Sequence, residues 1–91
     1  MATIAVMFKI DGEGVVPALQ QAGKKLDTAN GQMVLDFSVV RRVDPAALYA
    51  MGELAAIAEG RGVKLALRGV NIDVYKVLKL AKLAPRFSFL S

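Results

Sequence analysis

The chain has 91 residues, 12 basic and 8 acidic side chains, a net charge of +4, and neither cysteine nor histidine. Its length predicts a single domain over residues 1–91, because it is below the usual size of about 100–200 residues per domain and leaves no residues for a second core. The missing residue types exclude disulfides and thiolate chemistry and remove the commonest general base and metal ligand, so we expect no cofactor, no metal site and no enzymatic activity.

Hydrophobic periodicity predicts strand, helix and strand in the first part of the chain. Apolar and polar residues alternate over 3–10 and stop at the glycine-rich stretch 11–14, which is typical of a strand and a turn. Apolar residues at helical spacing over 15–29, followed by Asn30 and Gly31, predict a helix. The short apolar run 33–37 predicts a buried strand.

A long helix is predicted next, with its start marked by two residues. Asp44 followed by Pro45 is the order expected of an N-cap and a first helical residue, since proline lacks the N–H that is unpaired there. Gly60 marks its end. At 100° per residue, one side of this helix carries the residues expected to pack on the sheet: Leu48, Met51, Leu54, Ala55 and Ala58.

The opposite side of this helix has small side chains and one aromatic. It consists of Ala46, Tyr49, Gly52, Glu53 and Ala56. A glycine inside a helix costs about 1 kcal/mol relative to alanine, so this side predicts a surface that a partner approaches closely. The alternative, that the alanines simply favour helix and the glycine is tolerated, stays open.

The last third of the chain predicts a third strand, a helix and a fourth strand. Residues 63–70 alternate as a strand does, Asn71 is placed to cap a helix that reaches about residue 84 before Pro85, and 87–90 suffice for a short strand. Strands that alternate with single helices predict an α/β fold with right-handed crossovers and a sheet that is parallel for most of its width.

The predicted last helix carries a basic stripe that consists of Lys76, Lys79 and Lys82. Residues 61–91 hold seven basic side chains and one acidic one. A solvated face is the simplest interpretation, and an acidic protein or peripheral contact with an anionic membrane stays open. Nucleic acid is the least favoured partner, because the aromatic side chains that stack on bases are missing.

Few side chains of the middle strands can carry chemistry. Asp44 is expected to cap its helix, Asp36 to accept hydrogen bonds from the backbone or a nearby arginine, and Ser38 to occupy a turn. The rival from another functional class is a module that binds a nucleotide or an anionic lipid through the lysines or through Arg41, Arg42 and Arg68. No stretch has the composition of a signal peptide or a membrane span, so a cytoplasmic protein is expected.

A motif runs from Leu35-Asp36-Phe37-Ser38 through Val43-Asp44 to Gly69-Val70. In this order and spacing it resembles a STAS domain, the family that contains the bacterial anti-sigma-factor antagonists. The resemblance covers over half the chain. It implies a mixed, largely parallel sheet of four to five strands with helices mainly on one face, which agrees with the order read from periodicity.

The resemblance also implies a docking surface at the start of the long helix. In the antagonists the strand is followed by Asp-Ser-Ser/Thr-Gly, and the second hydroxyl residue is phosphorylated by the anti-sigma kinase. Here Ala46 takes that place and has no oxygen that could accept a phosphoryl group. The partner-binding residues implied by the resemblance and by the small-residue side together are Asp44, Pro45, Ala46, Ala47, Tyr49, Ala50, Gly52, Glu53 and Ala56.

Other segments, Gly69-Val70-Asn71, Val74-Tyr75 and Lys79-Leu80, resemble the small cytoplasmic STAS subunit of bacterial phospholipid-transport ABC transporters. By this resemblance the same helix would dock on the transporter ATPase. We therefore expect a non-enzymatic adaptor, and slightly favour an antagonist-like regulator that binds an anti-sigma factor or kinase-like protein over a transporter subunit. Self-association through the surface around Tyr49 stays open.

Overall fold

Four strands and three α-helices alternate along the chain in the computed structural model, which describes residues 6–29 and 31–90. The strands are β1 (Val6–Lys9), β2 (Gln32–Asp36), β3 (Lys64–Arg68) and β4 (Ser88–Leu90). The helices are α1 (Val15–Lys24), α2 (Pro45–Gly60) and α3 (Ile72–Leu80), with short 3₁₀ turns at Leu26–Thr28 and Ala84–Arg86. The first residues of the strand predicted over 3–10, and Asn30, lie outside the described residues.

The sheet has the order β1-β2-β3-β4, and every neighbouring pair of these strands is parallel. The predicted α/β fold is therefore confirmed. Because each right-handed crossover advances the chain one strand in the same direction, α1, α2 and α3 all cover the same face of the sheet. The described strands include no antiparallel one, so within them the sheet is parallel rather than mixed.

The core lies between the helices and the two central strands. Met33, Leu35, Leu65 and Leu67 of β2 and β3 are buried there. The helices add the buried residues Leu19, Ala22, Met51, Leu54, Ala55, Ala58, Val74 and Leu78. Val34 of β2 and Ala66 of β3, whose side chains point to the opposite face of the sheet, are buried as well. Strands buried on both faces consist of continuous apolar runs, which explains why 33–37 shows no alternation.

Two helices end earlier than the sequence predicted. The first stops at Lys24 and is followed by a 3₁₀ turn. The last stops at Leu80, because Lys82 adopts the left-handed conformation (φ 62°) and the Leu83 N–H donates to the Leu78 carbonyl at 2.9 Å. This hydrogen bond is the ordinary way to end a helix. Lys82 therefore lies beyond α3 and does not continue its periodicity.

Candidate protein interface

The start of α2 has the predicted cap. The Asp44 carboxylate accepts a hydrogen bond from the Ala47 N–H at 2.8 Å, and Pro45 occupies the first helical position. Asp44 thus satisfies one of the unpaired N–H groups of the first turn, and Pro45 removes another. The N-cap prediction is confirmed, and both side chains lie exposed at the helix start.

The outward side of α2 presents one large apolar side chain among small ones. Tyr49 is 71% exposed, and Ala46, Glu53 and Ala56 are exposed beside it. None of these four belongs to the core, whose α2 contribution comes from the opposite side of the helix. The predicted surface thus lies on the outside of the molecule, and Tyr49 is its most prominent side chain.

Three predicted partner-binding residues are less accessible than expected. Ala47 is 2% exposed, because its position in the first turn points toward the core, so its side chain offers almost no surface to a partner. Ala50 is half-buried and packs against the core. Gly52 is also half-buried: a Cβ added there would lie 3.7 Å from Cδ2 of Leu83, at an ordinary van der Waals distance. Apart from its neighbours in the helix, the residue that faces Gly52 is therefore Leu83 of the same domain.

A groove between α1 and α2 continues the surface on one side. Its volume is about 380 Å³, and its apolar lining includes Leu19, Gly23, Ala50, Leu54 and Ile57. The helices approach closely there, since a Cβ added at Gly23 would lie 3.5 Å from Cδ1 of Leu54. The sequence pattern did not predict this groove. An available signal was Ile57, a large apolar residue outside the predicted core stripe that is exposed in the structure.

Charged residues lie at the rim of this groove. Lys24 and Glu53 line it, and Arg61 at the end of α2 forms an ion pair with Asp27. An apolar floor with a charged rim is the usual composition of a protein-binding surface. We call the α2 surface the set of exposed or half-exposed residues of this helix and its groove: Ala46, Tyr49, Ala50, Glu53, Ala56 and Ile57.

Two glycines allow neighbouring loops to pack closely against the loop that leads into α2. A Cβ at Gly12 would lie 2.3 Å from the Val39 carbonyl oxygen, and one at Gly69 would lie 3.0 Å from Cα of Ser38. Gly69 also has a positive φ of 74°, which other residues rarely adopt. The loop from residue 37 to residue 44 is therefore in close backbone contact with the loops that follow β1 and β3.

Side chains hold the same loop by hydrogen bonds. The Asn71 amide donates to the Val40 and Arg41 carbonyls at 3.2 and 3.1 Å, while its oxygen accepts from the Val74 N–H at 2.8 Å and so caps α3 as predicted. One side chain thereby joins the start of α3 to the loop that starts α2. The start of α2 is therefore held by the Asn71 side chain as well as by its own cap.

Asp36, at the end of β2, stabilises the first turn of this loop. Its carboxylate accepts a hydrogen bond from the Ser38 N–H at 2.9 Å. That hydrogen bond lowers the pKa of Asp36 below its ordinary value, and the positive charges of Arg68 and Lys9 add to the effect. Of the two donors predicted for Asp36, a backbone group and an arginine, the structure shows the backbone N–H of Ser38. Asp36 and Ser38 form a turn, as expected.

Several arginines lie beside acidic side chains. Arg86 donates two hydrogen bonds to Glu59, at 2.9 and 3.1 Å, which lower the pKa of Glu59 and raise that of Arg86. Arg41 and Arg42 line a cleft together with Asp11 and Glu13, so acidic groups offset their charge. Arg68 does not line this cleft. The three arginines considered for nucleotide binding therefore do not line this cleft together.

The described residues hold neither a cluster of acidic side chains for a metal ion nor a membrane-spanning helix. Within 6–29 and 31–90, no three acidic side chains come together as a metal ion would require. In the same part of the chain, no helix has the length and apolar character needed to cross a lipid bilayer.

Comparison with known proteins gives the family. The sequence profile of STAS_2, described as "Mlab, STAS domain", matches residues 5–87. The chain belongs to the STAS family. The resemblance read from its motifs is thereby confirmed. STAS domains typically bind protein partners and are generally interaction modules rather than enzymes.

Solved structures share the fold of this STAS domain. A sulfate transporter family protein from Wolinella succinogenes has a TM-score of 0.78 and 21% identity, over 98% of this chain and 80% of that one. A candidate anti-sigma factor antagonist from Thermotoga maritima has a TM-score of 0.67 and 18% identity, over 100% and 75%. The NMR structure of the protein TM1081 gives 0.76 and 19%, over 93% and 72%. No curated protein matches this STAS domain in sequence.

Proposed function

We propose that this STAS domain is a non-enzymatic adaptor that binds a protein partner through the α2 surface. The observation that carries the proposal is Tyr49, a large side chain that is 71% exposed on a helix whose remaining outward residues are small. Tyrosine is among the residues that contribute most to binding energy at protein interfaces. Small neighbours allow a partner to surround the ring closely.

The rigidity of α2 supports the same proposal. Its N-terminal loop is in close contact with Gly12 and Gly69, its first turn is capped by Asp44, and Arg61 after its last turn is paired with Asp27. A surface that is already ordered loses little conformational entropy when a partner binds. The α2 surface is therefore suited to docking without a rearrangement of the domain.

The partner is proposed to be the ATPase of a phospholipid-transport ABC transporter. Two observations support this choice over the antagonist-like regulator that the sequence analysis favoured. The matching profile is described as "Mlab, STAS domain". The start of α2 has Pro45 and Ala46 where the antagonists have hydroxyl residues, so the domain has no phosphoacceptor at the position where a phosphate would control docking.

A second candidate is an antagonist-like regulator that binds an anti-sigma factor or kinase-like protein without being switched by phosphorylation. It is supported by the structural likeness to the candidate antagonist from Thermotoga maritima. Both candidates use the same surface. They differ in the partner and in the consequence of a hydroxyl at residue 46.

The surface is tested with Tyr49→Glu and the matched control Gln21→Glu, which makes the same charge change on the exposed side of α1. Binding of a purified transport ATPase and of a purified anti-sigma kinase is measured by calorimetry. We expect one of them to bind the wild-type domain, and Tyr49→Glu to weaken that complex at least about 30-fold. Gln21→Glu should bind as the wild type does, and both variants should keep the wild-type circular dichroism spectrum.

Equal binding by Tyr49→Glu would exclude this surface. If neither protein binds, and light scattering shows a wild-type dimer that Tyr49→Glu converts to a monomer, the surface serves self-association instead. The variant Ala46→Ser separates the two candidates. With ATP and Mg²⁺ added, a kinase partner should transfer the γ-phosphoryl group of ATP to the new serine and release the domain and ADP, whereas a complex with the ATPase should be unchanged.

A further inference from the structure

The outer side of α3 differs from the α2 surface because it combines apolar and basic side chains. At 100° per residue, Ile72, Lys76 and Lys79 lie within about 60° of one another, with Leu80 next to them. Ile72 is 63% and Leu80 is 84% exposed. We call the α3 face the set Ile72, Lys76, Lys79, Leu80 and Lys82. The buried Val74 and Leu78 occupy the opposite side of the helix.

The lysines of the α3 face keep their charge available. Within the described residues, the ion pairs of the last third join Arg61 to Asp27 and Arg86 to Glu59, and neither involves a lysine of this face. The one carboxylate of α3, Asp73, lies in the first turn, at the other end of the helix from Lys79. Three positive charges therefore extend from the middle of α3 into the turn that follows it.

Lys82 occupies a position that the fold would fill better with another residue. It has a positive φ of 62° at the end of α3, where glycine is preferred because it has no Cβ. Its side chain is exposed. The backbone conformation therefore disfavours a lysine at this position. Compared with a glycine, a lysine adds a positive charge on a long side chain.

We propose that the α3 face binds the headgroup layer of an anionic lipid bilayer. The lysines would contact lipid phosphates while Leu80 and Ile72 enter the boundary between headgroups and acyl chains. A solvated face explains the lysines but not a leucine that is 84% exposed between two of them. The face is the convex side of a helix, and the groove and the arginine cleft described above include no α3 residue. Its shape therefore suits a flat surface.

The proposal is tested by sedimentation of the protein with vesicles. Wild-type protein should bind vesicles that contain phosphatidylglycerol and should not bind vesicles of phosphatidylcholine alone. Binding should decrease strongly between about 0.05 M and about 0.5 M salt, because salt screens charges at a surface.

Two double variants separate this face from net charge. Lys76→Gln with Lys79→Gln should reduce the partition coefficient about 30-fold, the effect of removing two lysines that lie near an anionic surface. Lys24→Gln with Lys25→Gln removes the same charge from the exposed end of α1 and should reduce it much less. An equal reduction in both would mean that binding follows net charge and would overturn the proposal.

Two single variants separate lipid binding from folding. Lys82→Gly should raise the melting temperature, because glycine fits the left-handed position, and should nevertheless reduce the partition coefficient about fivefold. Leu80→Ser should weaken binding without any change of charge. Vesicle binding that is unaffected by both changes would exclude the α3 face as the contact.

The alternative occupant is an acidic protein surface. It would show as binding to polyglutamate that depends on Lys76 and Lys79, together with no binding to anionic vesicles. That combination would overturn the bilayer proposal and assign the face to an acidic protein. No binding to either probe at the lower salt concentration would leave the face as solvated surface, and would overturn it as well.

Discussion

The helices α2 and α3 have the same inner side and different outer sides. Each follows a buried parallel strand, begins at an Asp or Asn whose oxygen accepts a 2.8 Å hydrogen bond, and buries apolar residues on the sheet. Outside, α2 presents small residues around Tyr49, whereas α3 presents lysines and Leu80. The fold dictates the inner residues and leaves the outer ones free, so two helices that pack in the same way can present different side chains to their surroundings.

The starts of the two helices also differ in the number of contacts and hydrogen bonds that hold them. The loop before α2 is in close contact with Gly12 and Gly69, and Asn71 hydrogen-bonds to it from the start of α3. Asp44 makes one hydrogen bond as a cap, while Asn71 makes three. Substitutions at these residues therefore test how much of the position of α2 depends on its neighbours.

The largest effect is expected from Gly12→Ala. The added Cβ would lie 2.3 Å from the Val39 carbonyl oxygen, so two backbone segments must separate. We expect the free energy of unfolding to fall by about 3 kcal/mol. Gly14→Ala is the control, because no atom lies within 4 Å of its Cβ position, and should cost less than about 1 kcal/mol. Equal losses in urea denaturation would show that the loop contact does not position α2.

The two caps should differ in strength. Asp44→Ala removes one hydrogen bond and should cost about 1 kcal/mol of unfolding free energy. Asn71→Ala removes a cap and two hydrogen bonds to the loop before α2, and should cost about 2 kcal/mol. Asn71→Asp keeps the capping oxygen but loses the donor, so its stability should lie between those of the wild type and Asn71→Ala. An Asn71→Ala loss no larger than that of Asp44→Ala would contradict the proposed link between the helices.

The smallest effect concerns the pH dependence of stability that arises from Asp36, the residue before the loop that leads to α2. The hydrogen bond from Ser38 lowers the folded-state pKa of Asp36 below its ordinary 3.8, so as the pH falls the unfolded chain takes up a proton first. The stabilisation is present above that ordinary value and is lost as the pH falls through the lower folded-state pKa. Urea denaturation between neutral and acidic pH should show that the free energy of unfolding falls less steeply for Asp36→Asn than for the wild type. The same pH dependence of unfolding free energy in the wild type and in Asp36→Asn would contradict a stabilising role of the Asp36 carboxylate.

Much of the fold could be predicted because local signals agreed with it. Asp44-Pro45 and Asn71 mark helix starts by chemistry that needs no tertiary contact, and the apolar run in β2 reports burial on both sides of a sheet. The exposure of Tyr49 followed from helical periodicity alone. The end of α3 could not be predicted in this way, because Lys82 shows no preference for the left-handed conformation that stops the helix.

By itself the sequence determined the order of strands and helices, the helix caps and the family, because these depend on spacing and on residue type along the chain. Only the tertiary structure decided which of the adjacent Ala46 and Ala47 is exposed, and that Gly52 lies beside Leu83. It also decided that α1 forms a groove with α2. These outcomes depend on how each helix is rotated against the sheet and its neighbours, and that rotation is set by packing between residues far apart in the chain.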